Sequence, residues 1–192
     1  MHRAAQHLVV GDAVGDALAI GYQERPELFV RALQHARARG WPFRLIVAGE
    51  PGANPSDAIL KLPEEFPEEL VHFGYAESRQ DYGRLLRQSD IAVSTTRHEF
   101  FGIGMIEAMA AGCVPLAPRR YNYPALVAPE HHTALLWDDE AGLFERLGAL
   151  LTGPLPARQR FIDAAQRYSW ADVTPAWNHY IERLSRGEFA TE

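Results

Sequence analysis

Two carboxylates, Glu99 and Glu107, bracket a glycine-bearing turn in the run "HEFFGIGMIEAMAAGCVPLAP", residues 98 to 118. Gly102 and Gly104 follow a pair of phenylalanines, and the chain then passes at once into small helix-forming residues and an apolar run. The first turn of a helix leaves backbone N–H groups unpaired and carries partial positive charge, so it attracts an anion. Glycines beside it let a ligand approach the main chain closely, and a phosphate is the natural occupant. The carboxylates cannot help to hold phosphate. They are suited to accepting hydrogen bonds from hydroxyls, such as those of a sugar and a ribose. The residues alone leave a second reading open, in which both glutamates are solvated surface groups.

These side chains need a strand, a loop and a helix to position them. Residues 91–96, "IAVSTT", read as a buried strand, Arg97-His98-Glu99 as the loop, and a helix is predicted from near Gly102 to Ala111 with Gly112 as its stop. The same alternation runs along the chain. Short apolar runs at 43–49, 71–76, 113–118 and 133–137 read as further strands, and 17–22 ("ALAIGY") as the first of the series. Helical periodicity fills 24–40, where Leu28, Phe29, Ala32, Leu33 and Ala36 share a face, and 78–90, which opens on the N-cap residue Ser78. It also fills 138–153, 156–169 and 171–187. Residues 51–70 are the least patterned and read as a loop with a short surface helix; residues 1–16 read as a leader or linker. The fold class predicted is α/β, a Rossmann-like doubly wound parallel sheet in a single domain, with ligands at the carboxyl ends of the strands.

At 192 residues the chain is long enough to bury one real core. The net charge of −6 argues against a dominant nucleic-acid-binding face, which needs clustered lysine and arginine. There is no run of 18 apolar residues to span a membrane and no secretory pattern at the N-terminus. The single cysteine, Cys113, sits in an apolar run and cannot form an internal disulfide, which suits a cytoplasmic location. The histidines are scattered, and no His/Cys/Asp cluster has metal-ligand spacing, so no metal is expected.

The run "EFFGIGMIEAMAAGCVPL" resembles the E-x7-E signature of retaining glycosyltransferases of the GT-B fold, in the family-4-like group. Glu99, Phe101, Gly102, Glu107, the Ala108–Gly112 segment and Pro115 carry the likeness. More narrowly, the stretch from Gly74 to Pro124, with Ser169-Trp170 further on, is similar to the C-terminal half of tRNA-queuosine alpha-mannosyltransferases and their bacterial relatives. The resemblance implies one half of a GT-B enzyme, the domain that holds a nucleotide-sugar donor, with GDP-mannose as the donor and no separate cofactor. It implies that Glu99 binds hydroxyls of the sugar as the candidate catalytic residue, although as a positioning group and not a nucleophile. It places the main chain around Phe100, Phe101, Gly102 and Ile103 at the sugar and diphosphate, Glu107 at the ribose, and Gly74 and Tyr75 near the base.

Two departures stand against the pattern. Relatives carry an Arg and a Lys near the first strand–helix junction to grip the diphosphate; here there is no arginine at Ala19 or Ile20, and Glu24 stands where the lysine would align. Arg25 is the candidate substitute. Ala125, after Tyr123-Pro124, replaces a frequent Glu. The resemblance also implies an N-terminal acceptor domain or partner chain beyond this one, and a tRNA acceptor by the narrow likeness alone. The last helix, 171–187, carries Trp177 and Tyr180, which either bridge to that missing domain, drive self-association, or pack on this domain's own core. The alternatives in function are a nucleotide-sugar-binding module without transfer chemistry and a GT-B-fold epimerase acting on a UDP-sugar.

Overall fold

The computed structural model describes residues 6–10, 25–49, 56–97, 99 and 101–186. Its first strand corrects the sequence reading. Gln6–Val10 (β1) is not part of a leader; it is an inner strand of the sheet, paired in parallel with Phe43–Ala48 (β2) on one side and Ile91–Val93 (β4) on the other. "QHLVV" is too short an apolar run to announce itself, yet Leu8 is fully buried. The expected strand 17–22 lies outside the described residues.

From β1 the chain continues through Pro26–Ala38 (α1), β2, two single-turn helices Asp57–Leu60 (α2) and Leu62–Glu65 (α3), and Leu70–Gly74 (β3). Arg79–Gln88 (α4), β4, Ile103–Ala110 (α5) and Val114–Pro118 (β5) follow. A short helix Tyr123–Leu126 (α6), a 3₁₀ turn and the turn His132–Leu135 (α7) lead into Leu136–Trp137 (β6). Glu140–Thr152 (α8), Arg158–Gln166 (α9) and Trp170–Ser185 (α10) complete the described chain. The run 133–137, read as one strand, is therefore mostly helical, and only its last two residues pair with β5.

The strand order is β3-β2-β1-β4-β5-β6, all parallel. This is the doubly wound, Rossmann-like arrangement that the alternation predicts. Helix ends follow local chemistry. Ser78 Oγ accepts the Asp81 N–H at 3.1 Å to open α4, and Asp139 Oδ1 accepts the Gly142 N–H at 2.7 Å to open α8. Gly40 (φ 67°) and Gly112 (φ 91°) take the left-handed conformation that ends α1 and α5.

The core lies on both faces of the sheet. Leu45, Ile46, Ile91 and Leu116 meet Leu28 and Leu33 of α1, Met109 of α5, and Leu143 and Leu147 of α8, all essentially inaccessible. Each such side chain contributes about 1.5–3 kcal/mol by burial. Cys113 is buried, donates to the Leu86 and Ser89 carbonyls, and burial pushes its thiol up to about 12, so it is a core residue and not a reactive one.

Arg158, at the start of α9, clasps the ends of two other helices. Its guanidinium donates to the Ser89 carbonyl at 2.9 Å and to those of Arg87 and Ala111 at 3.3 Å, and faces Asp90 at 3.5 Å. Arg158→Ala leaves those carbonyls to partial hydration. A loss of about 2 kcal/mol is expected, read as a Tm lower by roughly 4–8 °C in thermal unfolding. Lysine, without the planar fork, should recover less than half of it.

Helix α10 buries none of its residues, and Trp177, Tyr180 and Ile181 are each more than half exposed. The reading in which its aromatics pack on this domain's own core is thereby excluded. No described helix is long and apolar enough to cross a membrane.

Candidate functional site

The strand order reverses direction between β1 and β4, so the carboxyl ends of these two strands flank the crevice where doubly wound sheets bind ligands. The segment after β4 runs straight into α5. Thr95 Oγ1 in that segment donates to the Arg25 carbonyl at 3.2 Å, which draws the start of α1 to the same place. The N-terminus of α1, with its partial positive charge, therefore lies beside the chain that leaves β4 at the switch point.

Helix α5 begins after Gly102, which holds φ 82° and ψ 40°. A Cβ there would stand 3.1 Å from Leu126 Cδ1 of α6 and need the left-handed region, so the glycine is required by backbone conformation and packing. The carboxylate of Glu99 folds onto the main chain just ahead of the helix. Its Oε1 accepts the Phe101 N–H at 3.1 Å and the Gly102 N–H at 2.7 Å. Two of the amides expected to meet a ligand thus already hold an anionic group from the chain itself. The amides of the first turn, from Ile103 onward, have no intrahelical acceptor by geometry. Phe101 is half exposed and rests edge-on against Tyr168, with centroids 5.7 Å apart; Ile103 is also exposed. Phe100 lies outside the described residues.

Glu107 sits on α5 beyond its first turn. Its Oε1 faces the Arg79 guanidinium at 3.4 Å, and it has a hydrogen bond with Tyr82. Its Oε2 is buried and has no hydrogen-bond partner among the described residues. Burial raises the Glu107 carboxyl above its ordinary value, and Arg79 and Tyr82 only partly offset it. This is an acceptor in want of a hydrogen-bond donor.

Gly74 and Tyr75 stand farther off. Gly74 (φ 112°) closes β3, where its carbonyl accepts the Gly49 N–H at 3.1 Å, and Tyr75 is more than half exposed. Since β3 is three strands from β4, the two ends are separated by roughly 14 Å at ordinary strand spacing. They are linked through Arg79, which opens α4 shortly after Tyr75 and reaches Glu107. Arg25 enters the crevice by its carbonyl, while its charge lowers Glu140 at the start of α8, whose principal partner is Arg31.

Several contributors went unread in the sequence. Arg79 and Tyr82 are one group and Asn122, Ser94 and Tyr123 another. Asn122 Nδ2 donates to the Phe101 carbonyl at 2.7 Å, and the Tyr123 hydroxyl is 2.8 Å from Ser94 Oγ at the end of β4. Together they hold the loop after β5 against the start of α5. Only a basic residue directly after the Ser78 N-cap offered a signal for Arg79. Among the described residues no group of three His, Cys, Asp or Glu is gathered to hold a metal ion.

Known proteins resemble this chain in sequence, and solved structures resemble it in fold. The chain is 34% identical over 110 residues to a tRNA-queuosine alpha-mannosyltransferase of Drosophila melanogaster, which covers 57% of this chain and 29% of that one. It is 36% identical over 85 residues to a GDP-mannose:cellobiosyl-diphosphopolyprenol alpha-mannosyltransferase of Xanthomonas oryzae pv. oryzae, covering 44% and 22%. It therefore spans less than a third of the length of either relative. Among solved structures, sucrose-phosphate synthase from Thermosynechococcus elongatus superposes with a TM-score of 0.72 at 21% identity, over 95% of this chain and 46% of that one. The C-terminal domain of a glycosyl transferase group 1 family protein from Francisella tularensis gives 0.61 at 16% identity, over 90% and 86%. At those identities the superpositions show a shared fold alone. Residues 19–168 match the family model described as glycosyl transferases group 1, and the chain belongs to that family.

Proposed function

We propose that this chain is the donor-binding half of a GT-B retaining glycosyltransferase, transferring a sugar from a nucleoside diphosphate sugar to an acceptor held by a domain or chain outside it. The observation that carries the reading is the arrangement along α5. The main chain just ahead of α5 already holds a carboxylate, and along the helix follows Glu107, whose buried Oε2 lacks a donor among the described residues. A diphosphate fits the first and a ribose the second. As the glycosidic bond breaks, charge develops on the leaving diphosphate, where fixed amides and the helix dipole stabilise it without rearranging. Glu99, turned from its amides, accepts hydroxyls of the sugar and orients it. The names of the similar mannosyltransferases favour mannose, carried as GDP-mannose. The acceptor, tRNA included, belongs to the part beyond this chain.

A binding module without transfer chemistry is the second reading. It is favoured by the altered phosphate grip at 19–25, where Glu24 stands in place of the expected lysine and no arginine stands at Ala19 or Ile20. Calorimetric titration with GDP, GDP-mannose, UDP and UDP-glucose tests the donor reading. Guanine-selective binding that weakens in Glu107→Ala is expected. Uridine-selective binding would keep the donor domain and discard mannose, and binding of none by the chain together with its acceptor domain would overturn the reading. Sugar transfer in that assembly, against binding without transfer, separates the two readings.

A further inference from the structure

We propose that Tyr121 is the face on which the transferred sugar ring packs, so that it sets how strongly the domain favours a nucleotide-sugar over the bare nucleotide. The proposal rests on the donor-domain reading and adds a recognition element to it. Among the described residues Tyr121 alone, glycines apart, has a positive φ, at 54°. It occupies the second position of the turn 120–123, closed by the Tyr123 N–H donating to the Arg120 carbonyl at 3.3 Å, with Asn122 at φ −82° and ψ −13°. That pattern belongs to a turn whose second position is ordinarily taken by glycine or asparagine, because a Cβ there is strained. A bulky aromatic kept in that conformation marks a place where the surroundings hold the strain and the ring is used.

The position of the turn says what the ring meets. Its two neighbours in sequence anchor it to the start of α5: Asn122 by the Phe101 carbonyl, Tyr123 by Ser94. A Cβ at Gly102 would touch Tyr123 Cε1 at 3.7 Å and Glu99 Cγ at 3.8 Å, so the β5 loop and Glu99 adjoin the same point of the helix cap. Glu107, with Arg79 and Tyr82 of α4, faces the neighbouring helix instead. The nucleoside therefore belongs with α4, and the sugar with Glu99 and the β5 loop. Tyr121 remains half exposed there. A hexose presents hydroxyls at its rim and a C–H face between them. Glu99 suits the first, and an aromatic ring with a polar tip suits the second.

The test compares wild type, Tyr121→Gly and Tyr121→Phe by calorimetry, using GDP with GDP-mannose and UDP with UDP-glucose, alongside thermal unfolding. Glycine relieves the backbone and removes the ring. It should raise Tm, leave the bare nucleotide's Kd unchanged, and reduce the affinity of the nucleotide-sugar relative to the nucleotide by roughly fivefold. Phenylalanine should keep the wild-type ratio. An unchanged ratio in Tyr121→Gly, or equal weakening of both ligands, would overturn the assignment while leaving the donor domain standing. Wild-type protein that, together with its acceptor domain, binds neither member of either pair would remove the donor-domain reading and this proposal with it.

Discussion

Glu107→Gln should stabilise the unliganded domain while weakening its grip on a nucleotide by roughly 10- to 100-fold. The two effects come from one side chain. Its carboxyl is raised above the ordinary 4.5 because burial disfavours the charge, and Oε2 has no partner to compensate. With a folded value above the unfolded one, the native state binds more protons than the unfolded chain in the window between them. Stability therefore falls as pH rises through that window, and the penalty persists above it. Glutamine is nearly isosteric and never charged, so its advantage should be present near neutral pH and vanish below about pH 4.5. It gives up the Arg79 pair, but the Arg79 side chain is 88% exposed and such a pair is worth little. The cost appears on binding, because a neutral amide makes a poorer acceptor for two ribose hydroxyls than a carboxylate, a difference of about 1.5–3 kcal/mol. Melting curves across pH, together with calorimetry, check both halves. A Tm lowered at neutral pH would mean that the charge is needed structurally.

Glu99→Ala should likewise separate binding from chemistry. In the unliganded protein its carboxylate satisfies the Phe101 and Gly102 amides just ahead of α5, so truncation should cost about 1–2 kcal/mol of stability by leaving them unpaired. A bare nucleoside diphosphate meets one less negative charge at the N-terminus of α5 and should bind roughly threefold more tightly. Transfer of sugar by the assembled enzyme should fall by roughly 100-fold or more, because the sugar loses its orienting acceptor. Glu99→Gln keeps an oxygen for the amides and should retain most of the stability, though not the transfer. Weaker binding of the bare diphosphate in Glu99→Ala would show that the side chain merely holds the loop in shape.

Some of this was legible along the chain because it is written locally. The alternation of apolar runs and 3.6-residue periods, the Ser78 cap, the stops at Gly40 and Gly112, and the strand–loop–helix that carries Glu99 and Glu107 each depend on a few neighbouring residues. Those features determined the fold class and the elements that carry the candidate residues. They did not determine β1, whose few apolar residues gain their meaning only between β2 and β4. They did not determine that Arg79 meets Glu107, that Asn122 grips Phe101, or that Tyr123 meets Ser94, contacts between residues 28, 21 and 29 apart. Nor did they show Tyr121 strained beside the helix cap, or the aromatic face of α10 left uncovered. A sequence records short-range preferences directly, whereas the fields and orphaned acceptors of a site arise when parallel strands bring distant loops to one edge of a sheet. Tertiary structure alone decides which of those loops meet.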